Sequence, residues 1–159
     1  MKALLVNGSP HPRGCTYTAL TELKNTLEAE DIEVELLHVG NKDIRGCIAC
    51  RKCAQTGKCV FDDVVNEVAP QLAEADAFVI GCPVYFASPA GGAISFMDRL
   101  FFSTLGIDKT MKVGAAVVTC RRGGNTATFD VLNKYFTMTG MPVASSQYWN
   151  MVYGGSAEE

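Results

Sequence analysis

Apolar positions along the chain fall into two rhythms. Short, nearly continuous runs occur at 4–7 (LLVN), 77–81 (AFVIG) and 113–119 (VGAAVVT). Each has the length of a strand buried on both faces. The stretch 32–39 alternates and is β-branched, as in a half-buried strand, and 142–149 reads as a last strand. Between these runs the spacing becomes helical. Leu20, Leu23 and Leu27 share one face of a helix over 16–30, with Cys15 or Thr16 near its cap. Asp62 and Asp63 are placed to cap a helix carrying Val64, Val65, Val68 and Leu72. Further helices are expected over 90–102 and 125–137.

Strands and helices therefore alternate, and parallel strands need such crossovers. The pattern predicts an α/β domain in which one five-stranded parallel sheet is sandwiched between helices. A helix should cover the fifth strand, yet 154–159 (GGSAEE) reads as a tail. That face is expected to be covered by a partner subunit or by a C-terminal segment that this chain lacks.

Composition narrows the picture. The 159 residues are 48% hydrophobic and 19% charged, which suits one globular domain over 1–159. A net charge of −3 leaves no basic footprint for nucleic acid. The apolar run after Met1 and Lys2 is too short for an export signal or a membrane span, so a cytoplasmic protein is expected. Of seven cysteines, Cys47, Cys50, Cys53 and Cys59 crowd into a loop insertion at 46–61, spaced C-x2-C-x2-C-x5-C. In a reducing compartment such a cluster points to metal or redox chemistry rather than to disulfides.

Ligands of open parallel sheets sit beyond the carboxyl ends of the strands. The first such loop, GSPHPRGCT (8–16), is rich in hydroxyls and glycine and leads into a helix N-terminus, which suits a phosphate monoester. It matches neither a Walker loop nor G-x-G-x-x-G. The loop after the third strand carries Pro83, Val84, Tyr85 and Phe86, apolar and aromatic groups fit to flank a flat heteroaromatic ring. After the fourth come Arg121 and Arg122, then Gly123 and Gly124, and the two glycines allow close backbone approach to a ligand. No nucleophile–base constellation is visible, so no catalytic side chain is assigned.

The stretches VNGSPHPRGCT, GCIACRKCAQTGKCVFDD, ADAFVIGCPVYFASP and FMDR, in that order, resemble the NADPH-dependent FMN reductase family of flavodoxin-like proteins, and within it the iron–sulfur flavoprotein branch. The resemblance implies a flavodoxin-like three-layer sandwich with strand order 2-1-3-4-5, bound FMN, and a homodimer or homotetramer. It implies that Ser9, His11, Arg13, Cys15 and Thr16 surround the phosphate. Pro83, Val84, Tyr85 and Phe86 would line the isoalloxazine, with Arg121, Gly123 and Gly124 on its third side. The Asp98–Arg99 pair would lie near a subunit contact, or form a solvated ion pair at a helix end. His11 stands where the family often has Arg, Cys15 where it has Asn or Ser, and Ile94 where a Lys is common.

The activity implied is an FMN-dependent NAD(P)H oxidoreductase that passes a hydride from NAD(P)H to bound FMN and on to a small-molecule or protein acceptor. The alternative is an iron–sulfur flavoprotein that carries electrons between a ferredoxin-like donor and another acceptor. Cys47, Cys50, Cys53 and Cys59 are the candidate metal ligands. Four thiolates in this spacing suit a [4Fe–4S] cluster, and the fit to the iron–sulfur flavoprotein motif favours it. A tetrahedral zinc or reduced, metal-free thiols remain as alternatives.

Overall fold

The computed structural model describes residues 1–156. Strands β1 (Lys2–Asn7), β2 (Glu33–His38), β3 (Ala77–Tyr85), β5 (Val113–Cys120) and β6 (Met151–Tyr153) form one parallel sheet. Their order across the sheet is β2-β1-β3-β5-β6, and the short strand β4 (Ser88–Pro89) pairs antiparallel to the end of β3. Counting the parallel strands alone, this is the expected flavodoxin-like order.

Alternation along each strand splits the core in two. Leu4, Val6, Phe78, Ile80, Ala116 and Val118 face helices α3 (Val64–Glu74), α4 (Gly91–Ser103) and α5 (Asn125–Met138). Ala3, Leu5, Val79, Ala115 and Val117 face helix α1 (Cys15–Ala29), whose Leu20 is fully buried. Among the described residues, α1 is the helix that packs on this second face. There an apolar groove of about 450 Å³ runs between Leu23, Leu27 and Ile32 and the strand residues Val79, Ala115 and Val117.

Local chemistry explains the boundaries. Asp63 caps α3, accepting from the Val65 N–H at 3.1 Å. The cap of α1 differs from expectation: Gly14 takes the position and no side chain hydrogen-bonds there. The last strand also differs. Only Val143 of the predicted 142–149 stretch bridges to Gly114, and the true strand lies at 151–153. The Ser145 and Ser146 hydroxyls both bond the Tyr148 carbonyl, at 3.1 and 2.8 Å, so local side-chain bonds replace the ladder. Within the cysteine loop one helical turn, α2 (Cys53–Thr56), ends on Gly57 at φ 68°.

The stretch after the third strand, expected as a loop, is a hairpin. β3 runs on past β1 to Tyr85 and turns back through Phe86 and Ala87, at φ 51° and 57°. Two left-handed residues in a two-residue turn match the twist of the strands, but Gly or Asn normally supplies them. Phe86 and Ala87 therefore hold a conformation that costs each residue roughly 1–2 kcal/mol.

Candidate functional site

The loops that follow β1, β3 and β5 meet at one sheet edge and enclose a cavity of about 440 Å³. Ser9, His11, Arg13, Cys15 and Thr16 line it from the first loop, Pro83, Val84 and Tyr85 from the second, and Arg121 from the third. Nine of the expected residues are thus brought together. Three are not: among the described residues, Phe86, Gly123 and Gly124 stand outside this lining. Phe86 points into solvent from the hairpin tip, fully exposed. Gly124, at φ 87°, instead lets the start of α5 abut the hairpin, since a Cβ there would lie 2.6 Å from Ala87 Cα.

The first loop is held rigidly. The Asn7 side-chain oxygen accepts from the Ser9 N–H at 3.0 Å, Ser9 Oγ accepts from the His11 N–H at 3.2 Å, and His38 Nε2 donates to the Ser9 carbonyl at 2.8 Å. Thr16 and Thr119 share a buried hydroxyl–hydroxyl bond of 2.7 Å that ties the start of α1 to the end of β5. Gly40 closes the loop from behind, because a Cβ there would stand 2.2 Å from the Ser9 carbonyl oxygen. No side chain caps α1, whose first turn opens on this cavity through Cys15 and Thr16.

Thr119, Cys120, Gly154, Gly155 and Ser156 also line the cavity, and sequence reasoning missed them. Thr119 and Cys120 close a buried strand, and their place at its carboxyl end was the available signal. The chain after β6 returns over the site, where Cys15 Sγ donates to the Ser156 carbonyl at 2.7 Å. Burial raises the Cys120 thiol above its ordinary value, so it stays neutral in this wall.

A second cavity, of about 200 Å³, is lined by all four clustered cysteines together with Arg99, Phe61 and Phe102. No disulfide joins any of the seven cysteines. Among the described residues no three His, Cys, Asp or Glu side chains converge closely enough to hold one metal ion. The four thiols line one shared space without meeting at a common point. Arg99 and Asp98 do not form the solvated helix-end pair that was one expectation for them. Arg99 is buried beside this cavity and forks onto Asp63 at 2.6 and 2.8 Å, while Asp98 accepts from the Tyr135 hydroxyl at 2.5 Å. Burial, assisted by that bond to Asp98, raises the Tyr135 phenol above its ordinary value.

A phosphate-type helix N-terminus and a ring-type wall at one edge of a 2-1-3-4-5 parallel sheet define the class of flavodoxin-like flavoproteins. The sequence matches the family described as NADPH-dependent FMN reductase over residues 1–155, and the chain belongs to that family. It is 33% identical over 158 residues to an iron–sulfur flavoprotein of Methanocaldococcus jannaschii, covering 98% of this chain and 82% of that one. An iron–sulfur flavoprotein of Archaeoglobus fulgidus is 34% identical over 127 residues, covering 78% of this chain and 62% of that one. Among solved structures, an NAD(P)H:quinone oxidoreductase from Methanothermobacter marburgensis superposes with TM-score 0.71 at 14% identity, covering 92% of this chain and 82% of that one. An apo NADH:FMN oxidoreductase does so with TM-score 0.67 at 21% identity, covering 95% and 75%. These two likenesses establish the fold. No helix among the described residues is long and apolar enough to cross a membrane.

Proposed function

We propose that the chain binds FMN in the cavity at the carboxyl edge of the sheet and works as an NAD(P)H-dependent oxidoreductase. The observation that carries this is the convergence of three strand-end loops on one cavity, with an uncapped helix start at one end and Tyr85 at the other. Ser9, Thr16 and the first-turn N–H groups of α1 bind the phosphate, with His11, Arg13 and Cys15 around it. Pro83, Val84 and Tyr85 flank the ring, and Arg121 faces it from the third loop. Bound FMN supplies the hydride and electron chemistry, which no side chain of the chain offers. The protein's part is to fix the ring and to hold the phosphate without a counter-lysine. Arg121 and Arg122, both exposed at the rim, meet the phosphates of the dinucleotide.

Cys47, Cys50, Cys53 and Cys59 hold a [4Fe–4S] cluster, which supplies one-electron exchange. The surface around these cysteines favours a second reading of the acceptor side, exchange with an acidic protein carrier. From Ile44 to Phe61 there is no acidic residue but four basic ones, Arg45, Arg51, Lys52 and Lys58, all exposed, in a chain of net charge −3. Exposed Ile48, Phe102 and Leu105 stand among or beside them, at 53, 56 and 65% exposure. A basic rim with apolar patches suits brief docking of an acidic partner. The test is anaerobic mixing of FMN-loaded protein with NADPH. Rapid loss of the oxidised-flavin absorbance supports the reductase; a flavin bleached only by a reduced acidic carrier leaves the carrier reading in its place.

A further inference from the structure

Arg99 is among the largest fully buried side chains of the protein, and its side chain has no exposed surface. A buried guanidinium is tolerated only when all its donors are used. Here five donors meet five acceptors. Nη1 donates to Asp63 Oδ2 at 2.6 Å and to the Arg45 carbonyl at 3.2 Å. Nη2 donates to Asp63 Oδ1 at 2.8 Å and to the Phe61 carbonyl at 3.3 Å. Nε, the one donor left, points at Cys59 Sγ at 3.2 Å. Phe61 packs on the guanidinium, 5.0 Å from ring centroid to Cζ, and Arg45 lies over the same ring at 5.1 Å. The guanidinium is cationic, as arginine is throughout proteins, and its charge is met by the Asp63 carboxylate.

These contacts join both ends of the cysteine loop, at Arg45 and Phe61, to helix α4, with the sulfur of Cys59 in the middle. Cys47 and Cys50 are exposed, whereas Cys59 is half-buried and anchored. We propose that Arg99 is a positioning residue that fixes Cys59 as the reference ligand of the four and raises the electron affinity of the cluster they hold. Hydrogen bonds to ligand sulfur and nearby positive charge favour the reduced cluster, which carries one more negative charge. Asp63 opposes this by neutralising part of the guanidinium charge, so the Asp63–Arg99 pair sets the balance. The inference rests on the cluster reading above.

The two residues therefore predict shifts of opposite sign. The full chain is reconstituted anaerobically with iron and sulfide, and the cluster is titrated with a chemical reductant and mediators, followed by its paramagnetic signal. Arg99→Gln removes the charge and the Nε donor, and its potential should move negative of wild type. Arg99→Lys keeps the charge and should recover part of that shift. Asp63→Asn leaves the guanidinium unneutralised and should move the potential positive. Asn caps helices as well as Asp, so this variant keeps the α3 cap and decides the matter if Arg99→Gln fails to fold. A purely structural Arg99 would loosen the loop in every variant and give no opposed pair. Potentials that stay put, or move in the same direction, overturn this inference alone. Wild-type protein that takes up no iron overturns the cluster reading and this inference with it.

Discussion

Gly40 stands outside the cavity yet sets its shape, and Gly40→Ala tests the phosphate end without touching a single liganding group. A Cβ at Gly40 would lie 2.2 Å from the Ser9 carbonyl oxygen and 2.4 Å from the Gly8 carbonyl carbon. An unforced carbon–oxygen contact needs about 3.3 Å, so the 8–11 loop must retreat by about 1 Å. Backbone cannot swing away as a flexible side chain can, and this loop is held by Asn7, His38 and the Gly8-to-Gly81 bond of 2.8 Å. A shift of that size takes the Ser9 hydroxyl and its neighbouring N–H groups out of reach of a phosphate. Two lost hydrogen bonds to a charged group, at about 1.5 kcal/mol each, give about 3 kcal/mol. FMN affinity should then fall by roughly 10²-fold. The assay is fluorescence titration of FMN into flavin-free protein, with far-ultraviolet circular dichroism to confirm folding. Gly91→Ala is the control, because nothing lies within 4 Å of a Cβ there. Folded Gly40→Ala protein that binds FMN as tightly as wild type would refute the placement of the phosphate.

Three other predictions draw on separate parts of the structure. The two cavities share no lining residue, so Cys50→Ser should abolish iron uptake while the flavin content measured on the same sample stays unchanged. Lys52→Glu should slow electron exchange with an acidic carrier by roughly two- to five-fold at low salt, the scale of reversing one exposed charge, a change of two units; wild type should slow as salt is added, and a salt-independent rate in both would remove the docking surface. Burial pushes the Cys82 thiol up to about 12 from its ordinary 9.0. The folded state thus favours the protonated thiol, so this contribution to stability is whole below pH 9 and is lost as pH rises through about 12. Chemical unfolding from pH 8 to 11 should show a shallower alkaline decline for Cys82→Ala than for wild type, and parallel declines would exclude the thiol as a cause.

The sheet was legible because its central strands are buried on both faces and read as unbroken apolar runs, and because Asp63 caps α3 by the usual carboxylate-to-N–H bond. The 8–16 loop was legible as one wall of the cavity for the same kind of reason, since its residues are adjacent in sequence. What stayed hidden depends on contacts between distant residues. The Phe86–Ala87 turn carries no glycine or asparagine to announce two left-handed residues. The last strand moved to 151–153 because the serines of 145–146 bond locally, a competition that propensity does not resolve. Arg99 looked like half of a surface Asp–Arg pair, and only the fold brings it to Asp63, 36 positions away, and to Cys59. Gly40 gave no sign in the sequence of standing behind Ser9.

Two electron-handling centres in one chain can be tested on a single sample. Protein purified without oxygen is examined by ultraviolet–visible absorption, with iron, sulfide, zinc and flavin measured on the same preparation. Flavin bands over a broad iron–sulfur absorption are expected, with one FMN and about four irons per chain. Stoichiometric zinc without iron, or a chain that holds no flavin after incubation with FMN, would contradict this.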